Sequence, residues 1–272
     1  MMLGPSAMSG AALGAGLSLP APLRGVVLAR DCLEAEAGWL LVHLLKAELT
    51  QSGNGAAALP AGTLSPAHRR LVLLAAAQAA SHYAAVLRKA GLNLPSLVAA
   101  GRLNLVELLP AAAGPGALPS LRDVHALLAA ACSGDGGAGS SSSICLVVDD
   151  LTALHCLASN AADWSAFLHA CTAVGQAPGC AFVGLAHGDV PDDERWLARL
   201  EAAAALVLEA EPLDCGPSAD ATGCLAVSVR DVGRGGDGSA PAGGAAEACA
   251  PGMRSYCYRL AETGASFVEQ TV

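Results

Sequence analysis

The sequence is poor in lysine, in aromatic residues and in charge. Aromatic residues make up 3% and charged residues 14% of its 272 positions, and Lys46 and Lys89 are its only lysines. Its net charge is −9, so a nucleic-acid phosphate backbone would repel the chain, and we expect no strong nucleic-acid binding by this chain alone. The hydrophobic fraction of 53% excludes a wholly disordered protein.

Zinc-binding and disulfide frameworks are also missing. None of the ten cysteines belongs to a CxxC pair, and no histidine completes a zinc-finger spacing. Several cysteines, such as Cys145 and Cys180, lie within apolar runs. We therefore expect free thiols that act as small hydrophobic side chains in a reducing compartment, and no metal site.

The first 23 residues lack the features of a targeting signal. No basic residue precedes Arg24, whereas secretory signals and transit peptides both carry basic residues. No apolar run in the body of the chain reaches the ~20 residues of a membrane span. We expect a flexible leader over residues 1–23 and no membrane partner.

Three stretches near 51–66, 133–143 and 232–252 are rich in glycine, alanine, serine and proline. Such composition buries too little apolar surface to offset the entropy of ordering, so we interpret them as low-complexity insertions. Without them, residues 24–272 contain roughly 200 residues of structure, the size of one domain.

Strand-like and helix-like patterns alternate along this domain. Five apolar, strand-like runs are each followed by a segment that can form a helix. The run Ile144–Asp149 is typical of a central parallel strand that is buried on both faces. Three further strand-like stretches near the C-terminus have no helices between them. The pattern predicts an α/β fold with a mostly parallel central sheet and an antiparallel C-terminal extension.

Helix ends can be predicted from local signals. Apolar spacing predicts a helix over Leu33–Leu49, and Ser81 and Gly91 are placed as the N-cap and the residue after the C-cap of a second helix. A third predicted helix begins at Asn160 and ends before Gly175.

Two consecutive acidic residues, Asp149 and Asp150, end the strongest predicted strand. The carboxyl edge of such a sheet faces the ligand crevice, and P-loop NTPases use an aspartate at this place to hold Mg²⁺. A simpler interpretation is that Asp150 caps the following helix.

The loop after the first strand decides against bound triphosphate. A phosphate loop requires GxxxxGK[ST], but here Gly38 is the first glycine and Lys46 the first lysine after the strand. Asp31, Glu34 and Glu36 stand where phosphates would bind, and their charges would oppose binding. We therefore predict a nucleotide-binding scaffold without a nucleotide cofactor.

Other groups could form a polar site. His82 beside Tyr83 could act at the end of the second strand, or simply lie in the start of a helix. The acidic cluster from Gly188 to Trp196 is interpreted as a solvated loop and helix start. An unrelated α/β enzyme that uses Asp149, Asp150 and His82 stays open as an alternative.

Five segments, in this order and spacing, resemble the Elongator complex protein six family across most of residues 24–268. The triplet Ser81–His82–Tyr83 and the motif VDDL at Val148–Leu151 are the more specific matches. The five segments are GWLLVHLLKAEL (Gly38–Leu49), QAASHYAAVLRKAGLNL (Gln78–Leu94), GRLNLVELL (Gly101–Leu109), ICLVVDDLTALHCL (Ile144–Leu157) and YCYRLAETGASF (Tyr256–Phe267).

The resemblance implies a RecA-like P-loop NTPase fold that lacks the Walker A residues. It implies a non-catalytic subunit, which joins two paralogous RecA-like Elongator subunits in a hetero-hexameric ring with two copies of each. That ring docks on the catalytic Elongator core and binds tRNA for 5-carboxymethyl-type modification of wobble uridines, leading to methoxycarbonylmethyl or carbamoylmethyl uridine.

No catalytic residue, cofactor or metal carries over from this family. Asp149 and Asp150 would be a degenerate Walker-B-like pair, and Ser81, His82 and Tyr83 a family motif. The family implies a cytoplasmic and also nuclear location. An active RecA-like ATPase with Asp149 on Mg²⁺ remains an alternative function.

Overall fold

The computed structural model describes residues 17, 19, 22–54, 69–108, 119–133, 143–216, 218–230, 251–262 and 264–270. Most of the predicted leader and of the three predicted insertions lies outside these residues, so their character stays a prediction.

A nine-stranded sheet forms the centre of the described structure. Its spatial order is β3-β2-β4-β5-β1-β6-β7-β8-β9. The first six strands in this order are parallel and the last three pairings are antiparallel, which confirms the predicted extension. The strands are β1 (Gly25–Asp31), β2 (Arg70–Ala75), β3 (Leu103–Glu107), β4 (Ile144–Asp149), β5 (Ala181–His187), β6 (Leu206–Glu211), β7 (Gly223–Val229), β8 (Gly252–Ala261) and β9 (Gly264–Gln270).

Helices cover both faces of the parallel part of the sheet. The first three pack on one face and the last four on the other. They are α1 (Gly38–Asn54), α2 (Ala80–Lys89), α3 (Leu94–Ala99), α4 (Leu121–Ser133), α5 (Leu151–His155), α6 (Ala161–Gln176) and α7 (Glu194–Ala203). In the described part of the chain, no helix is long and apolar enough to cross a membrane.

Strand β4 shows why an unbroken apolar run is needed at the centre. Cys145 and Val147 face the core under α1, whereas Leu146 and Val148 face the core under α4 and α6. Because side chains alternate along a strand, burial on both faces requires apolar residues at every position. The run then ends in Asp149 at the carboxyl edge of the sheet.

Two predicted helix starts are wrong. Helix α1 begins at Gly38 rather than Leu33, because Cys32 and Ala35 form a short bridge that closes a turn before the helix. Helix α2 begins at Ala80 with Ala79 as its N-cap, so Ser81 lies inside the first turn. Apolar spacing located α1 and cap signals located α2, but neither showed which residue starts the helix.

The predicted end of α2 is confirmed. Gly91 has a φ of 84°, and its N–H donates to the Arg88 carbonyl over 3.0 Å. The Leu92 N–H donates to the Leu87 carbonyl over 2.8 Å. These two bonds form a Schellman motif, in which glycine takes the left-handed conformation at little cost.

Helix α6 does not stop before Gly175 but continues to Gln176. Gly175 allows a close approach to the sheet, because an added Cβ would lie 3.0 Å from the Gly25 carbonyl oxygen and from the Phe182 Cβ. The helical pattern did not predict α3, a six-residue helix with Asn93 as its N-cap.

We expect Gly175→Ala to destabilise the protein by about 1 kcal/mol although alanine favours helices, because the backbone at Gly25 cannot move aside easily. Chemical denaturation measures the change. Gly38→Ala is the matched control, since a Cβ there meets nothing within 4 Å. A Gly175→Ala protein more stable than the wild type would contradict the packing argument.

Candidate functional site

The carboxyl ends of the central parallel strands meet at one edge of the sheet. Asp31 ends β1 and pairs in register with His187 at the end of β5, while Asp149 ends β4. The helix after β1 lies on one face of the sheet and the helix after β5 on the other, so a crevice opens between them. A cavity of about 730 Å³ lies at this edge.

Asp31 closes the start of helix α1. Its Oδ2 accepts a hydrogen bond from the Ala37 N–H over 2.8 Å, and its side chain is buried, with 5% of the residue exposed. The loop between them is short and is tied by the Ala35 N–H to the Cys32 carbonyl over 3.0 Å. The carboxylate of Asp31 therefore occupies the position at the helix N-terminus where an anionic ligand would bind.

Glu34 and Glu36 do not share this role. Both side chains are exposed, so only Asp31 of the three predicted acidic residues is buried at the α1 N-terminus. Glu36 nevertheless lines the cavity at this edge together with Asp31.

His187 joins two carboxylates across the edge. Its Nδ1 lies 2.5 Å from Asp31 Oδ1, and its Nε2 lies 3.4 Å from Asp150 Oδ2. Hydrogen bonds to Asp150 and to Asp31 raise the pKa of His187 to about 10 against the opposing effect of burial. The histidine is therefore protonated at neutral pH, and its charge is shared between the two carboxylates.

Asp150 also caps helix α5. Its Oδ1 accepts the Ala153 N–H over 2.5 Å, which confirms the simpler interpretation of this residue. The backbone N–H of His187 donates to Thr152 Oγ1 over 3.1 Å, and this bond holds β5 against the same helix. Asp150 is therefore engaged by protein groups on both sides.

This arrangement makes stability depend on pH. Because His187 gains its raised pKa only in the folded state, its contribution is full below the ordinary value of 6.5 and is lost as the pH rises towards 10. We expect the free energy of unfolding to fall more steeply over this range in the wild type than in His187→Gln. Denaturant titrations at several pH values measure it, and parallel curves would contradict the assignment.

Asp149 is held by Tyr83. The Tyr83 hydroxyl donates to Asp149 Oδ2, and both side chains are buried. Burial raises the pKa of Asp149, and burial together with Asp149 raises the pKa of Tyr83. The carboxylate that would bind Mg²⁺ in an NTPase is thus hydrogen-bonded within the protein.

The family triplet places two of its residues, His82 and Tyr83, in the lining of this cavity. Tyr83 is buried, whereas Ser81 and His82 are exposed. The His82 ring packs edge-on against the Tyr83 ring at a centroid distance of 5.6 Å. His82 also lies near enough to Asp149 to favour its ionised form.

A second helix N-terminus at this edge is also capped from within. Glu107, at the end of β3, accepts the Ala80 N–H at the start of α2 over 2.7 Å. With Asp31 on α1 and Asp150 on α5, three helix starts are neutralised by the protein's own carboxylates. Because helix N-termini attract anions, their occupation removes the usual phosphate cradle.

Sequence reasoning missed His187 and Glu107. Their partners are distant in the chain, with His187 and Asp31 separated by 156 residues. The available signal was their place at the ends of strands, since parallel strands bring these ends together. Among the described residues, no group of three or more His, Cys, Asp or Glu side chains could hold a metal ion.

The acidic cluster from Gly188 to Trp196 is only partly a solvated loop. Asp189 is exposed and accepts the Leu33 N–H over 2.9 Å, as expected of a loop. Asp193 is buried, and its Oδ1 lies 2.6 Å from His155 Nδ1, so the prediction is wrong for this residue. Sequence alone could not show that His155 would face it from α5.

No protein-family model matches this chain, and no curated protein is similar to it. Among solved structures, the chain is similar to a KaiC-like protein from the hyperthermophilic archaeon Pyrococcus horikoshii OT3, with 10% identity and a TM-score of 0.56. The similarity covers 90% of this chain and 89% of that chain. The fold is RecA-like.

The predicted RecA-like fold is thereby confirmed, while an identity of 10% carries no activity from one protein to the other. In P-loop proteins of this class, the phosphate loop joins a strand to a helix. Here the β1–α1 connection carries the buried Asp31 instead. The described structure therefore combines a RecA-like fold with a carboxyl edge at which the protein's own carboxylates occupy the helix N-termini.

Proposed function

We propose that this chain is a non-catalytic, RecA-like subunit of the Elongator accessory ring, which supports tRNA binding and wobble-uridine modification. The observation that carries the non-catalytic part is the Asp31 carboxylate, which holds the Ala37 N–H at the start of α1 and pairs with His187. A nucleotide would need that helix start for its own phosphates.

Electrostatics at the edge supports the same proposal. A triphosphate brings about four negative charges, and it would meet Asp31, Asp149 and Asp150 within one crevice. The single positive charge of His187 is already shared by Asp31 and Asp150. The β1–α1 connection supplies no lysine for the β- and γ-phosphates.

The segments that resemble the Elongator family form the structural frame around this edge. Gly38–Leu49 lies on α1, and Gln78–Leu94 covers α2. Ile144–Leu157 contains β4, Asp149, Asp150 and α5, while Tyr256–Phe267 lies on the β8–β9 hairpin. The resemblance therefore falls on the elements that hold the crevice and its neighbours.

Co-expression with the two paralogous RecA-like Elongator subunits tests the assembly. We expect a stable hetero-hexamer with two copies of each chain, measured by native mass spectrometry, and its docking on the catalytic core in a pull-down. Co-expression with an unrelated RecA-like protein is the control. A chain that remains alone in the presence of both paralogues would contradict the proposal.

Calorimetric titration of the isolated chain with ATP and Mg²⁺ tests the alternative. We expect no binding in the micromolar range and no hydrolysis. Micromolar affinity that is lost in Asp149→Asn would favour an active ATPase with Asp149 on Mg²⁺. The paralogous subunits serve as the comparison in the same titration.

The charge of the chain sets an expectation for tRNA. With a net charge of −9, the isolated subunit should bind tRNA weakly at physiological salt, and basic residues of its ring partners should supply most phosphate contacts. Filter binding of the subunit and of the assembled ring measures this difference. We propose a cytoplasmic, and also nuclear, site of action with the rest of Elongator.

A further inference from the structure

The only two lysines of the chain line one apolar groove, which shares Trp39 and Leu260 with the cavity at the carboxyl edge. The groove lies between α1, α2 and the β8–β9 hairpin and has a volume of about 420 Å³. Trp39 and Val42 of α1, Val86 of α2 and Leu260 of β8 form its apolar wall, and Lys46 and Lys89 lie on its two helices. We call these six residues the lysine groove.

Both lysines are available to a partner. Each side chain is exposed, and neither forms an ion pair with a carboxylate among the residues that the structure describes. Glu262 is the one acidic residue in the described lining, and it leaves the two ammonium groups in excess. Burial and the Lys46 charge lower the pKa of His43, so this histidine adds no positive charge at neutral pH.

We propose that the lysine groove binds an acidic amphipathic segment of a partner protein. Apolar side chains of the segment would lie against Trp39, Val86 and Leu260, and its carboxylates would pair with Lys46 and Lys89. An amphipathic helix in an apolar groove is a common mode of recognition, and complementary charge selects the partner.

Charge distribution explains why an acidic partner fits an acidic protein. The net charge of −9 belongs to the whole chain, and repulsion from carboxylates more than about 8 Å away is largely screened at physiological ionic strength. Within the groove, the positive charges of Lys46 and Lys89 outnumber the single carboxylate of Glu262. Arginine supplies the other positive charges of the chain, so the groove is its only lysine-rich surface.

The openness of the rim favours a segment over a small molecule. Leu260 is 38% exposed, although it is a large apolar residue, and both lysines stand at the surface. The adjacent strand β9 pairs with β8 on one side and has no strand on its other side among the described residues. A small ligand is usually engulfed, whereas this surface can accept a longer chain.

The proposal holds whether or not the chain belongs to the Elongator ring. The probes are two synthetic 18-residue peptides with leucines at helical spacing, one with glutamate and one with lysine at all other positions. Trp39 reports on binding through its fluorescence, and Trp39→Phe identifies its share of the signal. We expect the acidic peptide to change the Trp39 emission and the basic peptide to leave it unchanged.

Charge reversal makes the test specific. In the full chain, Lys46→Glu with Lys89→Glu should weaken binding of the acidic peptide by about tenfold or more, because like charges then face each other. Arg88→Glu is the matched control, since Arg88 lies on α2 beside Lys89 but does not line the groove. We expect this control to change affinity by less than about twofold.

Three results would overturn the proposal. They are no response of Trp39 to the acidic peptide, equal weakening by Arg88→Glu and by the double lysine variant, and binding of decanoate without binding of the peptide. The last would assign the groove to small anionic amphiphiles. Circular dichroism of each variant confirms that exposed charge reversals leave the fold intact.

Discussion

Replacing Asp31 with alanine is expected to lower the free energy of unfolding by about 3 kcal/mol at pH 7. The substitution leaves the buried Ala37 N–H without its acceptor and removes the 2.5 Å contact to His187 Nδ1. A buried hydrogen bond and a charge-assisted one are lost together. Urea denaturation followed by circular dichroism measures the change.

The control for Asp31→Ala is Asp189→Ala. Asp189 also accepts a backbone N–H at this edge, that of Leu33, but it is exposed and water can take its place. Its loss should cost less than about 1 kcal/mol. Asp31→Asn keeps an acceptor for Ala37 and removes the charge, so it should fall between the two. Equal effects of Asp31→Ala and Asp189→Ala would show that burial of Asp31 contributes little.

The same substitution links stability to the pH argument. Without Asp31, His187 keeps only Asp150 as a partner, so its pKa falls back towards 6.5. The decline of stability between pH 6.5 and 10 should therefore be smaller in Asp31→Ala than in the wild type. Removal of Asp31 does not create a phosphate loop, because the connection still lacks the required lysine and glycines.

The central place of β4 and the polarity of the strands could be inferred from the sequence, because a central parallel strand is buried on both faces. Ile144–Asp149 had to be central because it is apolar on both faces, and the strand-only C-terminal part had to be antiparallel for want of crossover helices. The cap residues of the helices were harder to predict from the sequence. Ser81 has the right chemistry for an N-cap, but the side chain that reaches the start of α2 is Glu107, from another strand.

Some features of the candidate site could likewise be predicted from the sequence, and others could not. Asp31 was predicted to oppose phosphate because its position after β1 can be found from the chain alone. Its engagement with His187 could not be predicted, since the contact depends on β1 and β5 being neighbours in the sheet. Gly175 is a related case, because its role depends on how closely α6 approaches Gly25 rather than on any helix-ending signal.

Replacing Tyr83 with phenylalanine is expected to cost about 2 kcal/mol at pH 7, because Asp149 would stay buried without its donor. The Tyr83 bond favours ionised Asp149, so its loss should raise the pKa of Asp149 further above 3.8. When the pKa of a carboxyl group is higher in the folded than in the unfolded state, the protein loses stability as the pH rises above the unfolded-state value.

The destabilisation by Tyr83→Phe should therefore be larger at pH 7 than at pH 4. Denaturation at both values measures the difference, with Tyr256→Phe as the control. Tyr256 is buried in β8, and its hydroxyl has no hydrogen-bonded carboxylate in the described part of the chain. An equal cost at both pH values would mean that the Tyr83 hydrogen bond does not change the pKa of Asp149, and it would contradict the argument.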